Sequence, residues 1–234
     1  MFDFDAWNQM LHQYVDTQGR VNYWAWQKES AQSLADWLNQ FATIDPQALP
    51  NQEDQLAFWL NLYNALVIQQ ILKQYPIQSI QRKVFGIPNW IAFFWFFQQP
   101  IYSLTDRQYS LNHIEHKVIR PTFNNPKIHF ALVCAAVGCP LLRREAYFPE
   151  TVQSQLEEDA KRFINNPDKV RYDAATQTLY CSKIFKWYRS DFLTVADSIP
   201  EYIQQYLSPS IALCSATPIR YFNYDWSLNQ RISS

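Results

Sequence analysis

Trp7, Met10, Leu11, Tyr14 and Val15 recur at steps of three and four residues, which predicts a helix over 5–15. Asp16-Thr17-Gln18-Gly19-Arg20 has turn composition, and Val21-Asn22-Tyr23 is expected to be a short extended piece. Leu34, Trp37, Leu38 and Phe41 predict a second helix over about 29–42, and Asp45-Pro46 to Pro50 a loop. The segment 52–75 is apolar nearly all round, through Leu56, Phe58, Trp59, Leu62, Tyr63, Leu66, Val67 and Ile71. That is the pattern of a buried central helix, and Pro76 ends it. Asn61 and Asn64 lie inside this run. A buried amide needs partners, so both are expected to brace neighbouring loops or to line a cleft with Tyr63.

Past Pro76 the pattern is less regular. Phe93 to Phe97 fit no clean period and are expected to form a buried strand. Tyr102-Ser103-Leu104 and Gln108-Tyr109-Ser110-Leu111 resemble the arms of a hairpin around Asp106-Arg107. Asn112, with Glu115 three residues on, has the form of a capping box, and Pro121 would stop the helix it opens. Ile128, Phe130, Leu132 and Cys134 alternate with His129, Ala131 and Val133, as in a central strand. Ala135–Gly138 is a turn, and Cys139-Pro140 would open another helix. Further on, 150–165 is an amphipathic helix, 170–172 and 178–181 a hairpin, 184–188 and 198–206 short helices, and 218–227 an extended tail. No internal repeat and no linker divides the chain. The expectation is a single α+β domain over 1–234, mostly helical with a small central sheet.

Composition narrows the function. Of 234 residues 48% are hydrophobic and 18% charged, enough for a sizeable core. The formal charge of -1 offers no overall basic face for nucleic acid. Glycine occurs 3 times, at Gly19, Gly86 and Gly138, which excludes a Walker A loop and a GxGxxG turn. Aromatics reach 17%, pointing to a core and a cleft built from flat rings. The apolar run Ile87–Phe97 is too short for a membrane span, which needs about 20 residues. The acidic start, Met1-Phe2-Asp3-Phe4-Asp5, has no secretory pattern. The 4 cysteines do not form a dense disulfide pattern. The expectation is a soluble, cytoplasmic protein with mostly free thiols. Its partner would be a peptide or small-molecule ligand, and its oligomeric state is left open.

The reactive side chains cluster between 113 and 139. His113, His116 and Arg120 would share one helix face, and Glu115 would flank the same cleft. At a helix start, Cys139 would sit among free amides that favour a thiolate and could bind an oxyanion. With an imidazole in reach and a carboxylate behind it, these are the parts of an activated cysteine nucleophile. The expected roles are Cys139 as nucleophile with Cys134 as the alternative, His116 as base with His129 as the alternative, and Glu115 as orienter. Arg120, Asn61, Tyr63 and Asn64 would bind substrate or brace the cleft, and no cofactor is needed. Cys181 and Cys214 are expected to be structural. A non-enzymatic binding or scaffolding module is the second reading. A zinc enzyme using His116, His129 and a cysteine is the third, although the spacing matches neither HExxH nor HxxEH.

Five ordered stretches together resemble a known family, the domain of unknown function 547. They are Tyr14-Val15-Asp16 with Gly19 to Tyr23, Ala57 to Leu66, Ile114-Glu115-His116 with Ile119-Arg120, Ile128 to Cys134 with Cys139 to Leu142, and Ser182 to Tyr188. The resemblance implies a single α+β domain of this type and no settled activity. The matched motifs contain Glu115, His116, His129, Cys134 and Cys139, whereas His113 is not part of the pattern. Co-occurring Cys, His and Glu are similar to the sets of papain- and transglutaminase-like thiol hydrolases. The order here is Glu and His before Cys, so such a likeness would require a rearranged topology. The function expected is a cysteine-dependent hydrolase or acyl transferase acting on a peptide or amide.

Overall fold

In the computed structural model, which describes residues 3–81, 83–84 and 87–231, the long apolar run forms a helix, α3 (Gln52–Gln74). Every residue from Leu56 to Leu66, and on to Ile68, is buried, which is why no polar stripe marks it in the sequence. Asn51 caps it, accepting the Asp54 N–H at 2.8 Å, with Glu53 and Asp54 favourably placed in the first turn. Ahead of it, α1 (Asp5–Tyr14) and α2 (Tyr23–Gln40, with non-helical backbone at Ser30) pack through aromatic rings. Trp7 lies 5.8 Å from Trp26 and 5.5 Å from Trp37, centroid to centroid. Tyr23 therefore opens a helix; the extended piece ahead of it is reduced to a bridge at Val21.

The turn between α1 and α2 supports the site loop. Gly19 sits at φ +68, and a Cβ there would lie 2.8 Å from both Leu141 Cβ and Leu142 N. A side chain would meet strain in the left-handed region and a clash with the segment that follows Cys139. Gly19→Ala is expected to cost about 2 kcal/mol and lower Tm by about 4–8 °C. An unchanged Tm in a thermal melt would contradict this placement.

Three expectations need correction. Phe93–Phe97 do not form a strand. They belong to α4 (Trp90–Gln98), which Asn89 caps by accepting the Ala92 N–H at 3.0 Å. Before it, β1 (Lys83–Val84) and β2 (Ile87–Pro88) pair antiparallel, while Gly86 lies outside the described residues. After it, β3 (Tyr102–Leu104) and β4 (Arg107–Tyr109) form the expected hairpin.

The second correction concerns the helix after this hairpin. Ser110, not Asn112, caps α5 (Leu111–His113), accepting the His113 N–H at 3.1 Å. The chain continues as a π-helical turn over Ile114–Ile119 and then as α6 (Arg120–Phe123). Pro121 does not stop it. In an α-register Pro121 would lack a donor for the Lys117 carbonyl and crowd it. The wider turn, in which the Arg120 N–H reaches back to the Glu115 carbonyl, absorbs the mismatch. The helix ends at Asn124 in the left-handed region.

The third correction is at 126–134, where no central strand forms. Asn125 accepts the Lys127 N–H, and Pro126 presets a 3₁₀ turn over Pro126–Phe130. Strand-like alternation loses because the backbone finds other partners. The Asn64 amide takes the Ala131 carbonyl and the Val133 N–H, both at 3.0 Å.

Downstream, α7 (Val152–Ile164) covers α3, and β5 (Val170–Asp173) pairs antiparallel with β6 (Thr178–Cys181). The tail adds β7 (Ile219–Tyr221) parallel to β6, and α8 (Ile184–Trp187), α9 (Arg189–Phe192) and α10 (Ile199–Gln204) lie between. The fold is a mostly helical single domain with small, separate sheets. Among the described residues no helix is long and apolar enough to cross a membrane.

Candidate functional site

The π-helical turn, the 3₁₀ turn and the loop after it converge on one cavity of about 410 Å³. Glu115, His116, His129, Cys134 and Cys139 all face it, so the chain's reactive cluster is gathered in space. Tyr63 from α3 also reaches it. Asn61, Asn64 and Arg120 do not line it. The exposed ring of His113 is outside it, against Tyr109.

Glu115 is buried and held by two phenols. Tyr63 donates to one carboxylate oxygen at 3.1 Å and Tyr188 to the other at 2.5 Å. Burial, reinforced by the Glu115 charge, pushes both phenols well above the usual tyrosine range, so they remain donors. Glu115 does not grip His116 closely: the nearest approach is 3.9 Å, from His116 Nε2. The other nitrogen of His116, Nδ1, lies 2.8 Å from an Arg120 nitrogen. A guanidinium has only donors, so Nδ1 accepts and is committed to Arg120.

Arg120 is fixed in turn by Asp191. Its Nε and one terminal nitrogen each lie 2.8 Å from a separate Asp191 oxygen, a two-pronged pairing. One of those oxygens also meets His129 Nε2 at 2.8 Å. Hydrogen bonds from His129 and from Arg120 hold the Asp191 carboxyl far below the usual carboxylate range. An ionised carboxylate only accepts, so His129 carries its proton on Nε2 and leaves Nδ1 as the basic nitrogen. Burial lowers His129 from its ordinary value of 6.5, outweighing the pull of Asp191 and Glu115. His129 is therefore neutral at pH 7, and the cationic partner of Asp191 is Arg120. The Tyr188 ring stacks on His129 at 3.8 Å and fixes its plane.

The sulfurs differ from expectation. Cys134 and Cys139 form a disulfide, with Cα atoms 6.3 Å apart, so the two cysteines nearest the reactive cluster are not free thiols. Cys181 is free and buried, and Cys214 is free and exposed. Cys139 does not start a helix. The loop before it runs beside the tail, with Val137 N–H bound to the Ser227 carbonyl and Gly138 N–H to that of Asp225. This pairing replaces the helical start that Pro140 suggested. Cys139 Sγ instead receives two local donors, the Cys134 N–H at 3.1 Å and the Tyr224 hydroxyl at 3.2 Å. Gly138 makes the second possible, since a Cβ there would lie 2.8 Å from the Tyr224 ring.

The Asn61 side chain accepts from Trp7 Nε1 and the Tyr147 N–H and donates to the Tyr147 carbonyl. Both α3 amides thus brace loops: Asn64 the segment that carries cavity-lining Leu132, Asn61 the loop at Tyr147. Sequence reasoning missed Asp191, Tyr188 as a Glu115 ligand, and Tyr224. Only Tyr188 fell within a recognised motif. Among the described residues no group of three or more His, Cys, Asp or Glu is placed to hold a metal ion, and Cys134 and Cys139 bind each other.

Residues 46–164 match the model of a family described as protein of unknown function, DUF547. The match takes in just over half of the chain, from the turn before α3 to the end of α7. It includes Glu115, His116, His129 and both bonded cysteines and stops short of Tyr188, Asp191 and Tyr224. No curated protein and no solved structure matches the chain.

Proposed function

The chain belongs to the DUF547 family, and from that premise and the cavity's geometry we propose a cysteine-dependent hydrolase or acyl transferase with a disulfide-bonded resting state. The observation that carries this reading is His129, held from behind by Asp191, lining the same cavity as the two sulfurs. His129 takes the role of base and Asp191 that of orienter, in place of His116 and Glu115. Cys139 remains the preferred nucleophile. The donors from Cys134 N–H and Tyr224 would stabilise its thiolate once the disulfide is opened.

The chemistry begins with reduction. Two equivalents of an external thiol convert the disulfide to two cysteine thiols and leave as their own disulfide. The Cys139 proton passes to His129 Nδ1, while Asp191 keeps Nε2–H oriented. The thiolate adds to an acyl carbonyl, the leaving group departs with the proton from His129, and water or an acceptor releases the acyl group. The order His129, Cys139, Asp191 would make this a rearranged relative of papain-type sites in role only. A second reading, a non-enzymatic ligand-binding module, has the bonded state of both sulfurs in its favour. Cys139→Ser separates them: a module keeps its ligand, an enzyme loses turnover.

Iodoacetamide labelling with peptide mapping tests the thiolate directly. After treatment with a phosphine reductant at pH 6.5, Cys139 is expected to label at least about tenfold faster than exposed Cys214. Without reductant it is expected not to label. Equal rates for Cys139 and Cys214 after reduction would overturn the proposal.

A further inference from the structure

The geometry points to a long apolar acyl chain as the substrate group of this cavity. The inference rests on the acyl-transfer reading and deepens it. One wall is a continuous run of aromatic rings. Phe97 lies 5.2 Å from Phe93, Phe93 lies 4.8 Å from Trp226, and Trp226 lies 5.9 Å from Trp187 and 4.4 Å from Tyr224, centroid to centroid. The run ends at the Tyr224 hydroxyl, 3.2 Å from Cys139 Sγ. A chain laid along these rings therefore brings its head to the sulfur.

The same wall reaches the outside. Phe94 and Trp187 both line the cavity, and they are 57% and 47% exposed. Apolar surface is thus continuous from solvent to the reactive end. Large apolar side chains left in water beside a cavity are the mark of a site that expects apolar contact. The cavity's charge points the same way. Among the described residues no Lys or Arg faces it, and the one carboxylate that does, Glu115, is already held by Tyr63 and Tyr188. Among the described residues it offers no Lys or Arg to pair with a peptide's carboxylate groups. An uncharged chain meets aromatic rings along this wall, with the Tyr224 hydroxyl and Cys139 at its head.

Binding of 1-octanol, 1-decanol and 1-dodecanol, read from tryptophan fluorescence with Trp187 and Trp226 as reporters, tests this without turnover. Neutral alcohols avoid the Glu115 charge. Each methylene buried should tighten binding about fourfold, so Kd should fall roughly fifteenfold for each two methylenes added. Phe94→Glu should weaken dodecanol binding at least about tenfold. Ile91→Glu, on the same helix and 73% exposed but not facing the cavity, should leave it unchanged. A Kd that is flat across the three alcohols, or equal in the two variants, would overturn the inference. Chain-length-dependent binding in a protein whose Cys139 labels no faster than Cys214 would instead sink the enzymatic reading and leave the acyl-chain pocket standing.

Discussion

Asp191→Asn is expected to lower turnover of p-nitrophenyl esters by the reduced protein about a thousandfold or more. The loss does not come from shape, since the two side chains are nearly the same size. Asp191 only accepts, and that fixes the His129 proton on Nε2. An amide can donate as well as accept, so the proton can move to Nδ1 and remove the basic nitrogen, as in other nucleophile–base–orienter sites. Arg120 also loses the anion that its two donors clasp. A stability loss of about 2 kcal/mol is expected, below the range for a sealed ion pair because Asp191 is 22% exposed.

The pH dependence separates orienting from mere bracing. His129 is lowered from 6.5 by burial, so the turnover of the native protein should stay on its plateau below pH 6.5. Removing the Asp191 charge takes away a contact that raises His129, so the acid limb should move further down in Asp191→Asn. Stability follows the same linkage. Both His129 and Asp191 are depressed in the folded state, so the unfolded chain binds more protons and stability falls as pH falls. The His129 share is present above about pH 6.5 and is lost below it. The Asp191 share is lost only below about pH 4; Asp191→Asn should remove that acid step and, by depressing His129 further, enlarge the His129 step. Turnover within tenfold of the native protein, with an unmoved acid limb, would reject Asp191 as the orienter.

Why Asp191 escaped sequence reasoning has a physical answer. It lies in a short turn of helix, α9, with no apolar period and no motif around it, and it joins His129 only through the folding of the C-terminal third. Spacing cannot register such a pair. The long helices were legible because their burial is periodic or total, as in α7 and α3. The α4 run was not, because apolar residues occupy its exposed face as well as its buried one, and period disappears. The 128–134 segment misled for another reason. Alternation reports which side chains are buried, not what satisfies the backbone, and here a side chain from α3 replaces a neighbouring strand. Glu115 and His116 both line the cavity, but their contacts with Tyr63, Tyr188 and Arg120 are set by the π-helical turn and left no trace in spacing. The disulfide was equally hidden. Two cysteines with four residues between them can bond across a turn or stay apart, and the pairing of that turn with the tail decides.

Asn64→Ala and Asn61→Ala are each expected to cost about 3–5 kcal/mol, and only the first should disturb the sulfur chemistry. Both amides are buried on α3, and each satisfies backbone groups that have no ladder or helix to turn to. Deleting Asn64 strands the Ala131 carbonyl and the Val133 N–H; deleting Asn61 strands both backbone groups of Tyr147 and the Trp7 indole N–H. Each orphaned group costs about 1–3 kcal/mol, and the cavity left behind adds to it. At about 2–4 °C per kcal/mol, Tm should fall by about 10 °C in either variant. The functional consequences diverge because the clamps hold different segments. Ala131 and Val133 lie between His129 and Cys134, so loosening them moves the His129 ring relative to the sulfurs. Tyr147 belongs to the loop that leads into α7 and does not line the cavity. Denaturant titration should show equal destabilisation, whereas iodoacetamide labelling of reduced protein should slow at Cys139 in Asn64→Ala alone. If Asn64→Ala costs less than about 1 kcal/mol, the clamp is not what shapes this segment. If Asn61→Ala slows Cys139 as much, the sulfurs answer to the stability of the whole domain rather than to the 131–133 segment.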